Sequence, residues 1–416
     1  MNALQRTNLC LALTVRSRRK NSLSHQTKGA DKKPGNFLLR ARAAIVASCS
    51  TTSGAGTTDL AAKHREISAH RNDIAMPLLR ALMVAASLAA LFHFGGAQAA
   101  PVERVTLDNY VRAETDRYFS ERVKIDGIGR LTHDRQGVNI DKQPVVRMNR
   151  DTPYSRVVLD LNTPATLVLP NVGKRFQSAM VINEDHFIKR VIYGPGELTI
   201  TKEMVGTRYA FISIRTFVNP DDPEDWKRLH AAQDGISLTQ ASPGKLDVPN
   251  WDTAARDKLS GLLRQMAPFV ASSRGMFGDV DAVDKVAHLV GTAGGWGGNR
   301  EQDALYLNVV PPANDGKTAY TLTLDDVPVD GFWSVSLYNA GGFYQKNPQK
   351  AYSLNNVTAK PGPDGKVTLR FGGDPRQPNH LPIVPGWNYT VRLYRPRAEI
   401  LDGTWRFPGL VAVPAP

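Results

Sequence analysis

The chain has 416 residues, 42% hydrophobic and 22% charged, with a formal net charge of +13 and two cysteines. That charge sits early: residues 1–75 carry 13 Lys and Arg against 4 Asp and Glu, whereas from residue 100 onward the balance is 38 to 35. The later part therefore lacks the basic excess that nucleic-acid binding needs, and with Cys10 and Cys49 both upstream it has no disulfide, thiol nucleophile or cysteine metal site.

Met76 to Ala99 reads as a secretory signal. Arg80 is the positive residue, Leu82 to Phe94 the apolar run broken by Ser87 and His93, and Ala97-Gln98-Ala99 the small-x-small cleavage site. The expectation is translation from Met76, a mature chain from about Ala100, and a periplasmic or secreted location. Two rival readings stand beside it. A transit peptide needs a sustained amphipathic period, which residues 1–75 lack. An uncleaved N-terminal membrane anchor needs about 20 apolar residues to span a bilayer, and the run here has 13. After cleavage no stable membrane insertion is expected.

The first predicted element is a helix carrying Leu107, Tyr110, Val111, Tyr118, Phe119 and Val123, ended by Asp126-Gly127. Residues 145–218 then alternate as strands: Val157, Leu159 and Leu161 share one face, and runs at Thr166–Leu169, Ala179–Ile182, Leu198–Ile200 and Tyr209–Phe217 are rich in β-formers. Gly194-Pro195-Gly196 is a turn, and Asn219 to Trp226 marks a stop before a short helix. Two apolar stripes follow: Leu259, Leu262, Leu263 and Met266 after a capping Asp252, and Val283, Val286, Ala287 and Val290 after Asp281. Strands return from Leu305 to Phe407, with Tyr320, Leu322 and Leu324, then Trp333, Val335 and Leu337, then Val367, Leu369 and Phe371, then Tyr389, Val391 and Leu393 on shared faces. Trp405 is read as core.

This pattern predicts a mainly β fold, an antiparallel β-sandwich or jelly roll of one or two sandwiches, with connecting helices. The expected divisions are an N-terminal extension over 1–75, a signal peptide over 76–99, a helix plus β domain over 100–245, a helical connector over 246–292 and a C-terminal β domain over 293–416.

The string Gly331-Phe332-Trp333-Ser334-Val335-Ser336-Leu337-Tyr338-Asn339 resembles the core of the domain-of-unknown-function family numbered 1214. Asn347-Pro348, Asp364-Gly365, His380-Leu381-Pro382, Val391 to Pro396 and Leu401 to Trp405 follow in that family's order. Upstream, Asn149-Arg150-Asp151-Thr152-Pro153-Tyr154-Ser155 resembles a motif of the companion family 1254, with Pro153 in place of the commoner Leu. The resemblance implies an exported bacterial protein with a β-sandwich fold. It implies no activity.

Candidate chemistry gathers at five places. Arg147, Asn149, Arg150, Asp151 and Tyr154 crowd donors and acceptors into one short stretch, which suits a sugar-like or carboxylate-bearing ligand; the alternative is an Arg150–Asp151 ion pair pinning a turn. Glu184-Asp185-His186 offers acid–base or metal-ligand chemistry, or is simply a polar hairpin. Gly294 to Asn299 holds Trp296 in a glycine-rich loop that matches neither phosphate-binding pattern; Trp296 either stacks on a ligand or is a buried plug. The signature strand sets Phe332, Ser334, Ser336 and Tyr338 on the face opposite Trp333, exposed, with Asn339 at its end. His380 is the one histidine of the C-terminal block and, with Asp151, the candidate acid–base residue. The ligand-binding candidates are thus Arg147, Asn149, Arg150, Tyr154, Trp296, Tyr338 and Asn339. No metal and no cofactor is expected. The expected partner is a small molecule or glycan, held by a binding protein or turned over by a metal-independent hydrolase or lyase.

Overall fold

The computed structural model describes residues 101–143, 146–270 and 272–414. The extension and the signal reading at Met76 to Ala99 lie outside the described residues.

Helix α1 (Tyr110–Asp126) opens the fold. A five-stranded antiparallel sheet follows, in the order β1 (Thr132–His133), β2 (Tyr154–Asp160), β7 (Tyr209–Thr216), β4 (Gln177–Asn183) and β5 (Ile188–Tyr193). A second sheet of β6 (Gly196–Ile200), β3 (Ala165–Leu169) and β8 (Ser237–Gln240) lies on one face of it. Alternation decides what each face meets. Val157, Leu159, Val181, Ile212 and Ile214 share a core with Leu167, Leu169 and Ile200 of the smaller sheet. Val158, Met180, Ile182 and Phe211 point the other way and pack on Phe119 of α1. Strands β4 and β7 are buried along their whole length because both their faces are covered.

The short helix α2 (Lys202–Val205) precedes β7, and α3 (Pro223–Asp234) follows it, capped by Asp222, which accepts the Glu224 N–H. Helices α4 (Thr253–Gln265) and α5 (Lys285–Gly295) pack with α1 around Tyr110, Ala113, Leu263, Val290 and Ala293. Asp252 caps α4 as read from sequence, its side chain accepting the Ala255 N–H. Two helical expectations are corrected. The cap of α5 is Asp284, not Asp281, so Val283 precedes the helix and Val286 faces solvent. On α4, Ser260 and Leu263 turn inward, which leaves Leu262 and Met266 exposed although the periodicity grouped them with Leu263.

The C-terminal part has two facing four-stranded sheets. One runs β12 (Ser353–Asn355), β11 (Trp333–Tyr338), β15 (Asn388–Tyr394), β9 (Ala304–Val309); the other runs β14 (His380–Leu381), β13 (Val367–Phe371), β10 (Tyr320–Leu324), β16 (Val411–Ala412). Pairing is antiparallel except between β13 and β14. Trp333, Val335, Leu337, Tyr389, Val391 and Leu393 meet Leu322, Leu324, Leu369 and Phe371 in one apolar core, with Trp387 stacked on Phe371 at 5.2 Å. Each such side chain contributes about 1.5–3 kcal/mol by leaving water. A short helix α6 (Ala398–Leu401) follows β15. The fold is thus mainly β with antiparallel sheets and a few helices, and no described helix is long and apolar enough to cross a membrane.

Candidate functional site

The outward face of the β12-β11-β15-β9 sheet is polar, and it is covered. Its register aligns Asn355, Ser334, Arg392 and Tyr306 in one row across the four strands. The next row is Ser353, Ser336, Thr390 and Asn308, and Tyr338 pairs with Asn388 beyond it. The sequence correctly set Phe332, Ser334, Ser336 and Tyr338 opposite Trp333, but all four are buried, because the segment around Asn149 and the end of β7 lie over them. An aromatic cluster of Phe176, Phe217, Phe332 and Tyr394 closes one end of the seam. Phe332 and Tyr394 stack at 4.2 Å there.

Arg392 organises the middle. Its Nη1 donates to Ser336 Oγ at 2.9 Å, and its Nη2 donates to the Arg147 carbonyl at 2.8 Å and the Tyr338 hydroxyl at 2.9 Å. The hydroxyls of Tyr338 and Tyr344 both donate to the Met148 carbonyl at 2.8 Å. Burial pushes the Tyr344 and Tyr394 phenols well above their ordinary pKa, so both remain neutral. Arg215 forms a second centre: it donates to the Gly297 carbonyl at 2.6 Å and to Asn299 Oδ1 at 3.2 Å, and lies over the Tyr154 ring.

The Asn149 motif is fixed between these centres. Asn149 Nδ2 donates to the Tyr394 hydroxyl at 2.8 Å and to Thr152 Oγ1 at 2.9 Å, while its Oδ1 accepts the Asp151 N–H. Asp151 is fully buried; Oδ1 accepts from Asn355 Nδ2 at 2.9 Å, and Oδ2 has no hydrogen-bond partner among the described residues. Burial pushes its carboxyl above the ordinary range, against the opposing pull of Asn355 and Arg392. Arg147 sits at φ 53°, a left-handed conformation that costs a non-glycine residue about 1–3 kcal/mol. Its N–H donates to the Gly342 carbonyl, its Nη1 donates to Thr390 Oγ1 at 2.7 Å, and its guanidinium stands over the Tyr338 ring. Burial, together with Arg392, lowers its pKa. Arg147, Asn149, Tyr154 and Tyr306 are half-buried and form the rim.

The other sequence candidates fall elsewhere. Arg150 points to the Tyr352 ring and to Asp221 at 3.7 Å, not to Asp151. Asn339 closes a turn, its Oδ1 accepting the Gly341 and Phe343 N–H groups. His380 belongs to the opposite C-terminal sheet; its neighbour Leu381 enters the apolar core, so His380 faces outward and that core separates it from Asp151. Gly294 and Gly295 end α5, and Trp296 stacks between Tyr118 at 4.4 Å and His186 at 5.2 Å, with Nε1 donating to Thr115 Oγ1. His186 is buried in the β4–β5 turn. Gly297 N–H donates to its Nε2, and its Nδ1 stands 2.8 Å from Thr292 Oγ1. Glu184 accepts the Tyr209 N–H. Among the described residues, no group of three or more His, Cys, Asp or Glu is placed to hold a metal ion.

The sequence reading gave no site role to Arg215, Arg392, Tyr344, Asn355 or Tyr394. Two of them carried a signal: Arg392 alternates with Val391 and Leu393, and Arg215 interrupts the apolar run of β7.

Residues 128–240 match the family model "Protein of unknown function (DUF1254)", and residues 312–398 match "Protein of unknown function (DUF1214)". Both resemblances therefore hold, in the order read from the motifs. Among solved structures, the VPA0106 protein from Vibrio parahaemolyticus aligns with a TM-score of 0.56 at 15% identity, over 74% of this chain and 98% of its own, and shares the fold. A putative uncharacterized protein from Burkholderia cenocepacia aligns at 0.44 and 12%, over 74% and 88%. No curated protein matches the chain.

Proposed function

We propose that the seam binds a small carboxylate-bearing or acidic sugar ligand, and that the protein is exported to the bacterial envelope. One observation carries the binding reading. Arg147, Arg215 and Arg392 approach one buried polar layer, and none of the three forms an ion pair with a carboxylate among the described residues. A planar guanidinium recognises a carboxylate through two parallel bonds. The rim residues Asn149, Tyr154 and Tyr306 add neutral donors and ring faces suited to a sugar. The paired facing sheets are read as two β-sandwiches whose junction forms the site.

A ligand that binds only the folded state raises the melting temperature, and the rise grows with the logarithm of ligand concentration above its Kd. A panel of uronic acids, dicarboxylates and matching neutral sugars should show stabilisation by acids alone. Stabilisation by none of the acids ends this reading. Export is read from Met76 to Ala99, and N-terminal sequencing of protein from envelope extracts should give a start near Ala100.

A second reading, turnover of the same ligand, rests on Asp151, whose raised pKa suits a proton donor. It predicts that Asp151→Asn binds the ligand and does not convert it. His380 has no part in either reading.

A further inference from the structure

The donors at the middle of the seam converge on the chain's own backbone. Arg392 Nη2 donates to the Arg147 carbonyl at 2.8 Å and reaches the Met148 carbonyl at 3.4 Å, and the hydroxyls of Tyr338 and Tyr344 both donate to the Met148 carbonyl at 2.8 Å. One guanidinium and two phenols thus serve two consecutive peptide oxygens. Arg392, Tyr338 and Tyr344 are all buried, so each needs an acceptor wherever that peptide goes. A carboxylate brings the same fork two adjacent oxygens and a full charge, where peptide carbonyls bring only dipoles.

The peptide in this place is lightly held. Arg147 carries left-handed strain at φ 53°, in a turn whose other described residue, Val146, is exposed. From Asp134 to Asn149 the described residues include no helix, no strand and no buried residue. Met148 packs only partly buried on the tyrosines. Two anchors fasten the turn to the facing loop. The Arg147 N–H donates to the Gly342 carbonyl at 2.8 Å, and Gln143 exchanges two bonds with the Tyr344 backbone, both at 2.9 Å. A segment with so few buried contacts opens at low cost compared with the sheets beneath it.

Given the seam as the ligand site, we propose that the Arg147 and Met148 carbonyls occupy its anion position, and that a ligand carboxylate enters by displacing the turn that carries them. Entry is then an exchange. The carboxylate returns acceptors to Arg392, Tyr338 and Tyr344 as the carbonyls leave, and adds the charge that the guanidinium lacks. A neutral sugar returns no charge, so the turn stays closed against it. The apparent affinity is the intrinsic affinity reduced by the small fraction of chains whose turn is open.

The test combines calorimetry with hydrogen exchange on the full chain, using glucuronate as the probe and glucose as its neutral match at equal ionic strength. Glucuronate should speed exchange of the Arg147 amide about tenfold while the amides of β11 and β15 stay protected. Gln143→Ala cuts an anchor without touching Arg392 or the phenols, and should lower the Kd for glucuronate about fivefold. Binding by the variant alone also supports displacement, since a closed turn hides the site in the parent. Equal affinity in both proteins with the Arg147 amide unmoved overturns displacement and leaves the seam as a ligand site. Equal acceleration of that amide by glucose overturns it too. Binding of glucuronate to neither protein overturns the seam reading and displacement together. Circular dichroism checks that Gln143→Ala is folded, and if it is not, the Arg147 amide of the parent decides.

Discussion

Arg392 donates from Nη2 to the backbone carbonyl of Arg147, 245 positions earlier in the chain, at 2.8 Å. That bond ties the second strand pair to the motif loop and holds the peptide of a residue in a left-handed conformation. It is one of several bonds from a single buried fork, so the fork is a structural hub of the seam as well as part of its charge.

Removing that fork should be costly. Arg392→Ala leaves the Arg147 carbonyl and the Ser336 and Tyr338 hydroxyls without their donor, and a hydrogen bond to a charged group contributes about 1.5–3 kcal/mol. A loss of about 3 kcal/mol or more is expected in urea unfolding. A loss under about 1 kcal/mol would show that the seam does not depend on Arg392.

Arg147 should behave in the opposite way. Arg147→Gly removes the bond to Thr390 but relieves the left-handed backbone, two opposed effects of about 1–3 kcal/mol each. Stability should stay within about 1 kcal/mol of the parent, while stabilisation by acidic ligands is lost. Retained ligand stabilisation would take Arg147 out of the site.

His186 makes the fold sensitive to acid. Burial, with His288 adding to it, holds its folded pKa well below 6.5, and the Gly297 N–H fixes Nε2 as an acceptor. The unfolded chain takes up the proton first as pH falls, so this stability is whole above about 6.5 and lost progressively below it. Urea midpoints measured from pH 8 to pH 5 should drop less, or rise more, in His186→Gln than in the parent.

Asp116 has the reverse sign. Burial raises its pKa to about 7, the Glu184 charge adds to this, and the Trp251 Nε1 bond opposes it. The folded protein keeps a proton that the unfolded chain releases from 3.8 upward, so stability falls as pH rises from about 4 to about 7 and is level above. Asp116→Asn keeps an acceptor for Trp251 and should be more stable than the parent at pH 8, by of order 4 kcal/mol, and close to it near pH 4. Because His186 and Asp116 oppose each other between pH 4 and 7, the two variants separate slopes that the parent partly cancels.

Strand alternation made much of this legible. Val157 and Leu159, and Trp333, Val335 and Leu337, face the cores the sequence assigns them. The helices were less so, because a 3.6-residue period finds an apolar stripe without saying whether anything covers it; Leu262 and Val286 keep the period and stay in water. The motif at Asn149 was legible as a dense polar cluster. Its partners were not, since Tyr394, Asn355 and Arg392 lie 204 to 245 positions away and nothing local couples them. His380 looked significant by being alone in its block, yet a single residue's rarity carries no information about which side of a sheet it occupies.

The seam also sets an order of events during synthesis. The sheets of the N-terminal part draw on residues 132–240 alone, so their apolar core can close while the rest of the chain is still being made. Asn149 then waits for Tyr394, which at about 5–20 residues per second takes roughly 10 to 50 s on the ribosome. Throughout that interval the motif's polar groups are served by water, and the arrival of β15 exchanges that water for phenols and a guanidinium. Assembly of the seam cannot precede the arrival of β15, because its bonds join Asn149 to Tyr394.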